Sequence, residues 1–159
     1  MNIDRRYLPL FEEALENLGR AAENLAFTLA RVQPLLPLDG RGITTLSPER
    51  RESLDALTAR FARCQQMAGN AFKALALMEA ESQPRFIDLL ALMQKRGLIA
   101  SIEAWDTQRD LRNAAAHVYL VTGADLAAFY NAVTEAAPAV VAYADRLRDY
   151  AIGLGPRQP

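Results

Sequence analysis

The sequence predicts an all-α protein, an antiparallel up-and-down bundle of about five helices, from three observations. Apolar residues recur at steps of three and four along almost the whole chain, and strand-like alternation is nowhere sustained. That spacing places them on one face of an α-helix. Serine, threonine and proline stand where helices would begin, and glycine or proline where they would end. Mostly short connections between the segments favour antiparallel neighbours.

The first two helices follow from long apolar stripes. One stripe runs over residues 7–32 and stops before Pro34, where a proline disfavours further helix. The other runs over residues 54–78, and its helix begins earlier, with Ser47 as N-cap and Pro48 at the first helical position.

Three further patterns predict the remaining helices, of which the third helix is the shorter one. The third helix runs from Pro84 to Gly97, whose freedom suits a helix end. Ser101 caps a fourth, which extends from residue 102 towards Tyr119. The segment 122–125 is predicted to break the chain and cap a fifth helix, with a kink at Pro138.

The segment 34–47 is predicted to be a long loop. Loops of this length in a compact domain are usually functional or mobile. Its leucines and isoleucine, however, favour the simpler interpretation that it covers one end of the bundle. The domain is expected to span residues 1–152, with 153–159 as a disordered tail.

Composition limits the classes of function. The 159 residues are 51% hydrophobic and 23% charged, which is ordinary for a globular protein. A net charge of -1 argues against a polyanion-binding surface over the whole protein, so any nucleic-acid contact would be a local patch. The single cysteine, Cys64, allows no intrachain disulfide and lies on an apolar stripe, so it is expected in the core. No segment is typical of a signal peptide or a membrane span, so a cytoplasmic protein without a membrane partner is expected.

The fourth helix differs from the others in its polar side. At 100° per residue, one side carries apolar residues that are predicted to face the core: Ala104, Leu111, Ala115 and Val118. The opposite side gathers polar residues, including the only histidine of the chain: Asp106, Arg109, Asp110, Arg112, Asn113, His117 and Tyr119. A solvated surface face is the plain interpretation. Two arginines beside histidine, asparagine and tyrosine favour a phosphate-binding face instead, and the Glu–Lys spacing of a merely solubilising helix is missing.

The segment 112–119, Arg-Asn-Ala-Ala-Ala-His-Val-Tyr, has the form R-x4-H-x-Y with asparagine after the arginine. It resembles the signature of HEPN domains, and specifically of the HepT-like toxins formerly described as nucleotidyltransferase substrate-binding proteins. The similarity covers roughly residues 54–150. It includes the motif's place on the penultimate helix and the runs Pro84-Arg85, Gly97-Leu98-Ile99 and Glu103-Ala104-Trp105. It departs where the family often has a Trp-Lys pair, because this chain has Phe72-Lys73.

The resemblance implies a metal-independent endoribonuclease toxin without a cofactor, which dimerises with its motifs facing one another. Arg112 and His117 would be catalytic, and Arg109 and Asn113 would support RNA binding. Asn70 is the best candidate for the polar helper residue that many HEPN ribonucleases carry on the second helix. The implied partner is an antitoxin, a minimal nucleotidyltransferase that adenylylates the motif tyrosine.

That tyrosine is Tyr119. An α-helix continued to it would place its hydroxyl within about 20° of the Arg112 direction. The plain alternative is a ring that packs locally.

The chemistry agrees with these roles. RNA can be cleaved when its 2′-hydroxyl attacks the adjacent phosphate, so no metal is required. Histidine suits either proton transfer, and arginine stabilises charge that accumulates on phosphate oxygens. A chain with one histidine cannot supply both acid and base from histidine, whereas a symmetric dimer can. The sequence shows no zinc-site spacing and no glycine-rich phosphate loop.

Three classes of function stay open at this point. The first is the ribonuclease toxin. The second is a non-catalytic partner or substrate-binding subunit of a nucleotidyltransferase. The third is a helical interaction protein whose motif is vestigial. Only an activity assay separates the first two.

Overall fold

A computed structural model describes residues 3–79, 84–120 and 122–154, and for residues 118–120 it describes the backbone alone. The described residues are all-helical: helix makes up 86% of them, and they contain no strand. The six α-helices in this part are α1 (Leu8–Val32), α2 (Gly40–Thr44), α3 (Pro48–Met78), α4 (Phe86–Lys95), α5 (Ile102–Ala114) and α6 (Gly123–Gly153). Short 3-10 helices occupy Arg5–Tyr7, Gln33–Leu35 and Ala115–Leu120.

Three predicted helix starts are confirmed by their caps, at Ser47, Ser101 and Thr122, whereas the helix predicted from Pro84 begins at Phe86 without a side-chain cap. The Ser47 hydroxyl accepts a hydrogen bond from the Arg50 amide, and Pro48 is the first residue of α3. The Ser101 hydroxyl accepts one from the Ala104 amide at 3.0 Å. Each cap satisfies an amide that has no partner within its own helix, which is why the sequence marks these starts so clearly.

The Gly97 stop after α4 is also confirmed. Gly97 has a positive φ of 71°, and the Leu98 amide donates back to the Met93 carbonyl at 2.9 Å. A residue with a Cβ rarely adopts this left-handed backbone, so glycine ends the helix here. Pro138, where a kink was predicted, lies inside α6, and the helix continues through it.

The longest helices form the core. α1 packs along α3, and both pack against α6. Their buried apolar residues form one cluster with those of α4 and α5, including Leu18, Leu25, Phe61, Phe72 and Trp105. Buried Cys64 belongs to this cluster, as predicted. The apolar surroundings raise the pKa of its thiol to about 12, because burial disfavours the thiolate.

The segment 34–47, predicted as a loop, holds the short helix α2 and packs on α6. The Asn131 side chain of α6 binds this segment at Leu38. Asn131 Oδ1 accepts a hydrogen bond from the Leu38 amide, and Asn131 Nδ2 donates one to the Leu38 carbonyl, each at 2.8 Å. Leu38 itself is buried. The predicted tail 153–159 lies outside the described residues from 155 onward.

No helix among the described residues is long and apolar enough to cross a membrane.

Candidate functional site

The rotation of α5 differs from the prediction. Trp105 and Gln108 are its buried residues, whereas Ala104 and Leu111, predicted to face the core, are only half-buried. Arg112 follows Trp105 by seven residues, so it lies within about 20° of the same direction. Arg112 therefore leans over the core side of the helix instead of pointing away from it. The buried face of α5 was predicted wrongly from its apolar positions, because the polar residue Gln108 is buried on the core side.

A hydrogen bond from α5 to α3 fixes Arg112. Its Nη1 donates to Oε1 of Gln65 at 2.6 Å. Gln65 is fully buried, on the α3 stripe that also carries Phe61 and Phe72. A hydrogen bond to a charged donor is shorter and stronger than one between neutral groups. One end of the Arg112 guanidinium is thereby held against α3.

Gln65 is a candidate site residue that the sequence prediction missed. Asn70 was the candidate for the polar helper on this helix, but the structure gives the contact with Arg112 to Gln65. A signal was available: Gln65 stands among apolar residues at helical spacing, and a polar residue in such a place must find a partner.

Arg112 borders a cavity of about 510 Å³, which we call the α3–α5 cavity. It lies between α3, the first residue of α4, and α5, and its lining comprises Gln65, Gln66, Gly69, Asn70, Lys73, Phe86, Trp105, Arg109 and Arg112. Three of these residues are cationic, and none of the lining residues is acidic. Three of the predicted site residues, Asn70, Arg109 and Arg112, thus meet in one place.

Arg109 has an acidic neighbour one turn away. Its Nη2 lies 3.2 Å from Oδ1 of Asp106, and both side chains are about 40% exposed. Asp106 is outside the cavity lining. An exposed ion pair of this kind contributes only about 0–1 kcal/mol, so Arg109 can turn to another anion at little cost.

Aromatic rings form one wall of the cavity. The ring of buried Trp105 packs on Phe72 and Tyr143, with centroids 5.4 Å and 5.6 Å away. Phe86 stands at the surface, 39% exposed, with Lys73 Nζ 5.8 Å from its ring centroid. The cavity therefore combines positive charge with apolar ring surface.

His117 and Asn113 lie apart from this cavity. Both are exposed, and neither lines it. The α-helix ends at Ala114, and His117 belongs to the following 3-10 helix, Ala115–Leu120. A 3-10 helix turns about 120° per residue, so the predicted alignment of Tyr119 with Arg112 does not apply. The side chain of Tyr119 lies outside the described residues.

Comparisons with known proteins add no family assignment. No family model matches the chain. Searches of curated proteins and of solved structures likewise gave no match. Among the described residues, no group of three or more histidine, cysteine, aspartate or glutamate side chains is arranged to hold a metal ion.

Proposed function

We propose that this protein is a HEPN-type endoribonuclease toxin, an antiparallel helical bundle that acts as a cytoplasmic homodimer and cleaves RNA without a metal ion or cofactor. The observation that carries the proposal is the placement of Arg112. It is held by buried Gln65 at a cavity that also presents Lys73 and Arg109 and has no acidic residue in its lining. Such a site favours a phosphodiester over a neutral or cationic ligand.

The proposed reaction divides between two residues. The RNA 2′-oxygen attacks the adjacent phosphorus while its proton passes to a base, and the bond from phosphorus to the 5′-oxygen breaks as an acid protonates that oxygen. Arg112 stabilises the negative charge on the phosphoryl oxygens, and His117 transfers protons. Arg109 and Asn113 help to hold the flanking strand, and Asn70 contacts it from the cavity wall.

Dimerisation would bring a second His117 to the reaction. His117 is exposed and outside the cavity of its own chain, so a second copy packed on α5 can approach it. The exposed Ala114 and Ala116 permit close approach there. Sedimentation should show a dimer, and a monomer of 17.6 kDa alone at micromolar concentration would contradict this part of the proposal.

Cleavage rates test the catalytic roles. His117→Ala and Arg112→Ala should each reduce RNA cleavage by roughly 10²- to 10⁴-fold in the presence of EDTA, with the helical circular dichroism spectrum unchanged. Arg51→Ala is the matched control, because Arg51 is exposed on α3 and lies outside the cavity lining. Full cleavage by His117→Ala, or loss of wild-type cleavage in EDTA, would contradict the mechanism.

One observation favours a second candidate, a non-catalytic substrate-binding subunit of a nucleotidyltransferase. The cavity gathers binding groups, but His117 is not among them. Under this alternative, RNA or nucleotide binds in the cavity and no cleavage follows. The wild-type cleavage assay separates the two.

Regulation completes the proposal. The partner is a cognate nucleotidyltransferase antitoxin that adenylylates Tyr119. The phosphate of the attached nucleotide would compete with RNA for Arg109 and Arg112, and the bulk of the nucleotide would obstruct the site.

A further inference from the structure

The α3–α5 cavity has a buried floor and a charged rim. Gln65 and Trp105 are buried and form the floor, with exposures of 0% and 2%. Lys73 is exposed at the rim, and Arg109 is half-buried beside it. A ligand that enters would meet charge first and neutral hydrogen-bonding groups deeper inside.

Two side chains of the floor each carry a buried donor without a partner. Gln65 Nε2 and Trp105 Nε1 are buried, and neither finds a hydrogen-bond partner within the described part of the chain. Buried polar atoms are nearly always paired, and an unpaired one calls for an explanation. Both atoms belong to side chains that line the cavity, and both donate. The group that completes them must be an acceptor.

The rim indicates an extended ligand. Lys73 also lines two neighbouring cavities, of about 350 and 300 Å³. One continues past Phe86 towards Pro84 and Leu89, and the other lies between α1 and α3, where its lining includes Glu13. A single small anion would fill only one of these spaces, whereas a strand that passes Lys73 can continue into the next.

We propose that the α3–α5 cavity binds one nucleotide of single-stranded RNA next to the scissile phosphate. Acceptor atoms of the base meet Gln65 Nε2 and Trp105 Nε1 on the floor. The adjoining phosphate contacts Lys73 and Arg109 at the rim, and the exposed ring of Phe86 supplies apolar surface beside the base. The identity of the ligand as RNA rests on the function proposed above.

Trp105 makes the inference measurable, because it is the only tryptophan in the chain. Its emission should change saturably when a short single-stranded oligoribonucleotide is titrated into the His117→Ala protein, which keeps the whole cavity. Phe86→Leu should weaken this binding about tenfold through lost stacking. Lys73→Gln should weaken it and reduce the slope of log affinity against log salt by about 0.7, the value for one phosphate contact on a single strand.

Lys95→Gln is the matched control. Lys95 is the only other lysine, it is exposed in the last turn of α4, and it lines none of the three cavities. Its substitution should leave the binding midpoint and the salt slope unchanged. An equal effect of Lys73→Gln and Lys95→Gln would show unspecific attraction and overturn the proposal.

Two further titrations, with inorganic phosphate and with AMP, identify the ligand. Inorganic phosphate should leave Trp105 emission unchanged at concentrations where the oligoribonucleotide saturates it. The same response to phosphate would mean that the floor takes a phosphoryl group and no base. AMP should compete only at far higher concentration than the strand, and equal affinity would replace RNA by a free nucleotide as the ligand.

The test of the nucleotide subsite and the test of RNA cleavage can fail separately. If labelled RNA binds by anisotropy without a Trp105 response, the subsite is refuted even when the wild type cleaves RNA. If Trp105 responds and Lys73→Gln weakens binding while the wild type cleaves nothing, the subsite holds and the ribonuclease proposal fails.

Discussion

Replacing Gln65 with leucine should separate stability from activity. The substitution removes the acceptor that holds Arg112 Nη1 at 2.6 Å, and it also removes the buried Nε2 that has no partner. Leucine is of similar size and suits the apolar stripe of α3. We therefore expect a folded protein in which the Arg112 guanidinium is no longer fixed against this helix.

The magnitudes follow from the two opposing changes. The hydrogen bond to a charged donor contributes about 1.5–3 kcal/mol, and the unpaired buried amide costs about 1–3 kcal/mol. The net change in the free energy of unfolding should be within about 1 kcal/mol, or about 2–4 °C in Tm for a chain of this size. A released arginine regains up to about 2 kcal/mol of side-chain entropy. Because about 1.4 kcal/mol in the barrier is tenfold in rate, the freed arginine alone should lower kcat/KM for RNA cleavage roughly 10- to 30-fold.

The assay compares thermal unfolding and cleavage kinetics for this variant and for Gln108→Leu. Gln108 is also a buried glutamine, but its Oε1 accepts from the Tyr143 hydroxyl at 2.8 Å, and it does not line the cavity. The control should lose stability and keep its cleavage rate per folded molecule. Wild-type kcat/KM in Gln65→Leu, together with a large loss in Arg112→Ala, would refute the positioning role of Gln65.

Three further results are expected. Cys64 in the native protein should resist alkylation at pH 8, as measured by mass spectrometry. Its folded-state pKa of about 12 exceeds the ordinary value near 8.5. The contribution of the buried thiol to stability is therefore complete below about pH 8.5 and is lost as pH rises towards 12. Gly97→Ala should lower the free energy of unfolding, measured in urea, by about 1–2 kcal/mol, because alanine is strained at a φ of 71°. An added Cβ meets nothing within 4 Å, so this backbone strain is the only cost expected, and an unchanged stability would refute it. Tyr119→Phe, co-expressed with the cognate nucleotidyltransferase, should stay toxic and gain no AMP by intact mass, and normal silencing would refute the switch.

Local signals made most helix boundaries predictable. Ser47, Ser101 and Gly97 mark their helix ends because capping depends on a few neighbouring atoms. The helix α2 was missed because its five residues carry no periodic pattern. The segment that leads into α2 is held at Leu38 by Asn131, which is 93 residues away in the chain, and no local pattern can show such a contact.

The site was predictable in part, for the same reason. Arg112 and Arg109 were singled out by residue type and spacing and Asn70 by the family resemblance, and the structure brings the three together. Gln65 was overlooked although its place on an apolar stripe was a signal, and the rotation of α5 was misjudged because Gln108 occupies a core position. Which face of a helix is buried depends on its neighbours, and a buried polar side chain reverses the expected pattern.

The chemical identity of the RNA ends tests the central claim most directly. Cleavage by the wild-type protein in EDTA should leave a 2′,3′-cyclic phosphate on one fragment and a 5′-hydroxyl on the other, because the 2′-oxygen attacks and the 5′-oxygen leaves. Mass spectrometry of the fragments distinguishes these ends, and His117→Ala measured in parallel should give neither fragment above background. Fragments that end in a 3′-hydroxyl, or identical fragments from His117→Ala, would contradict the account.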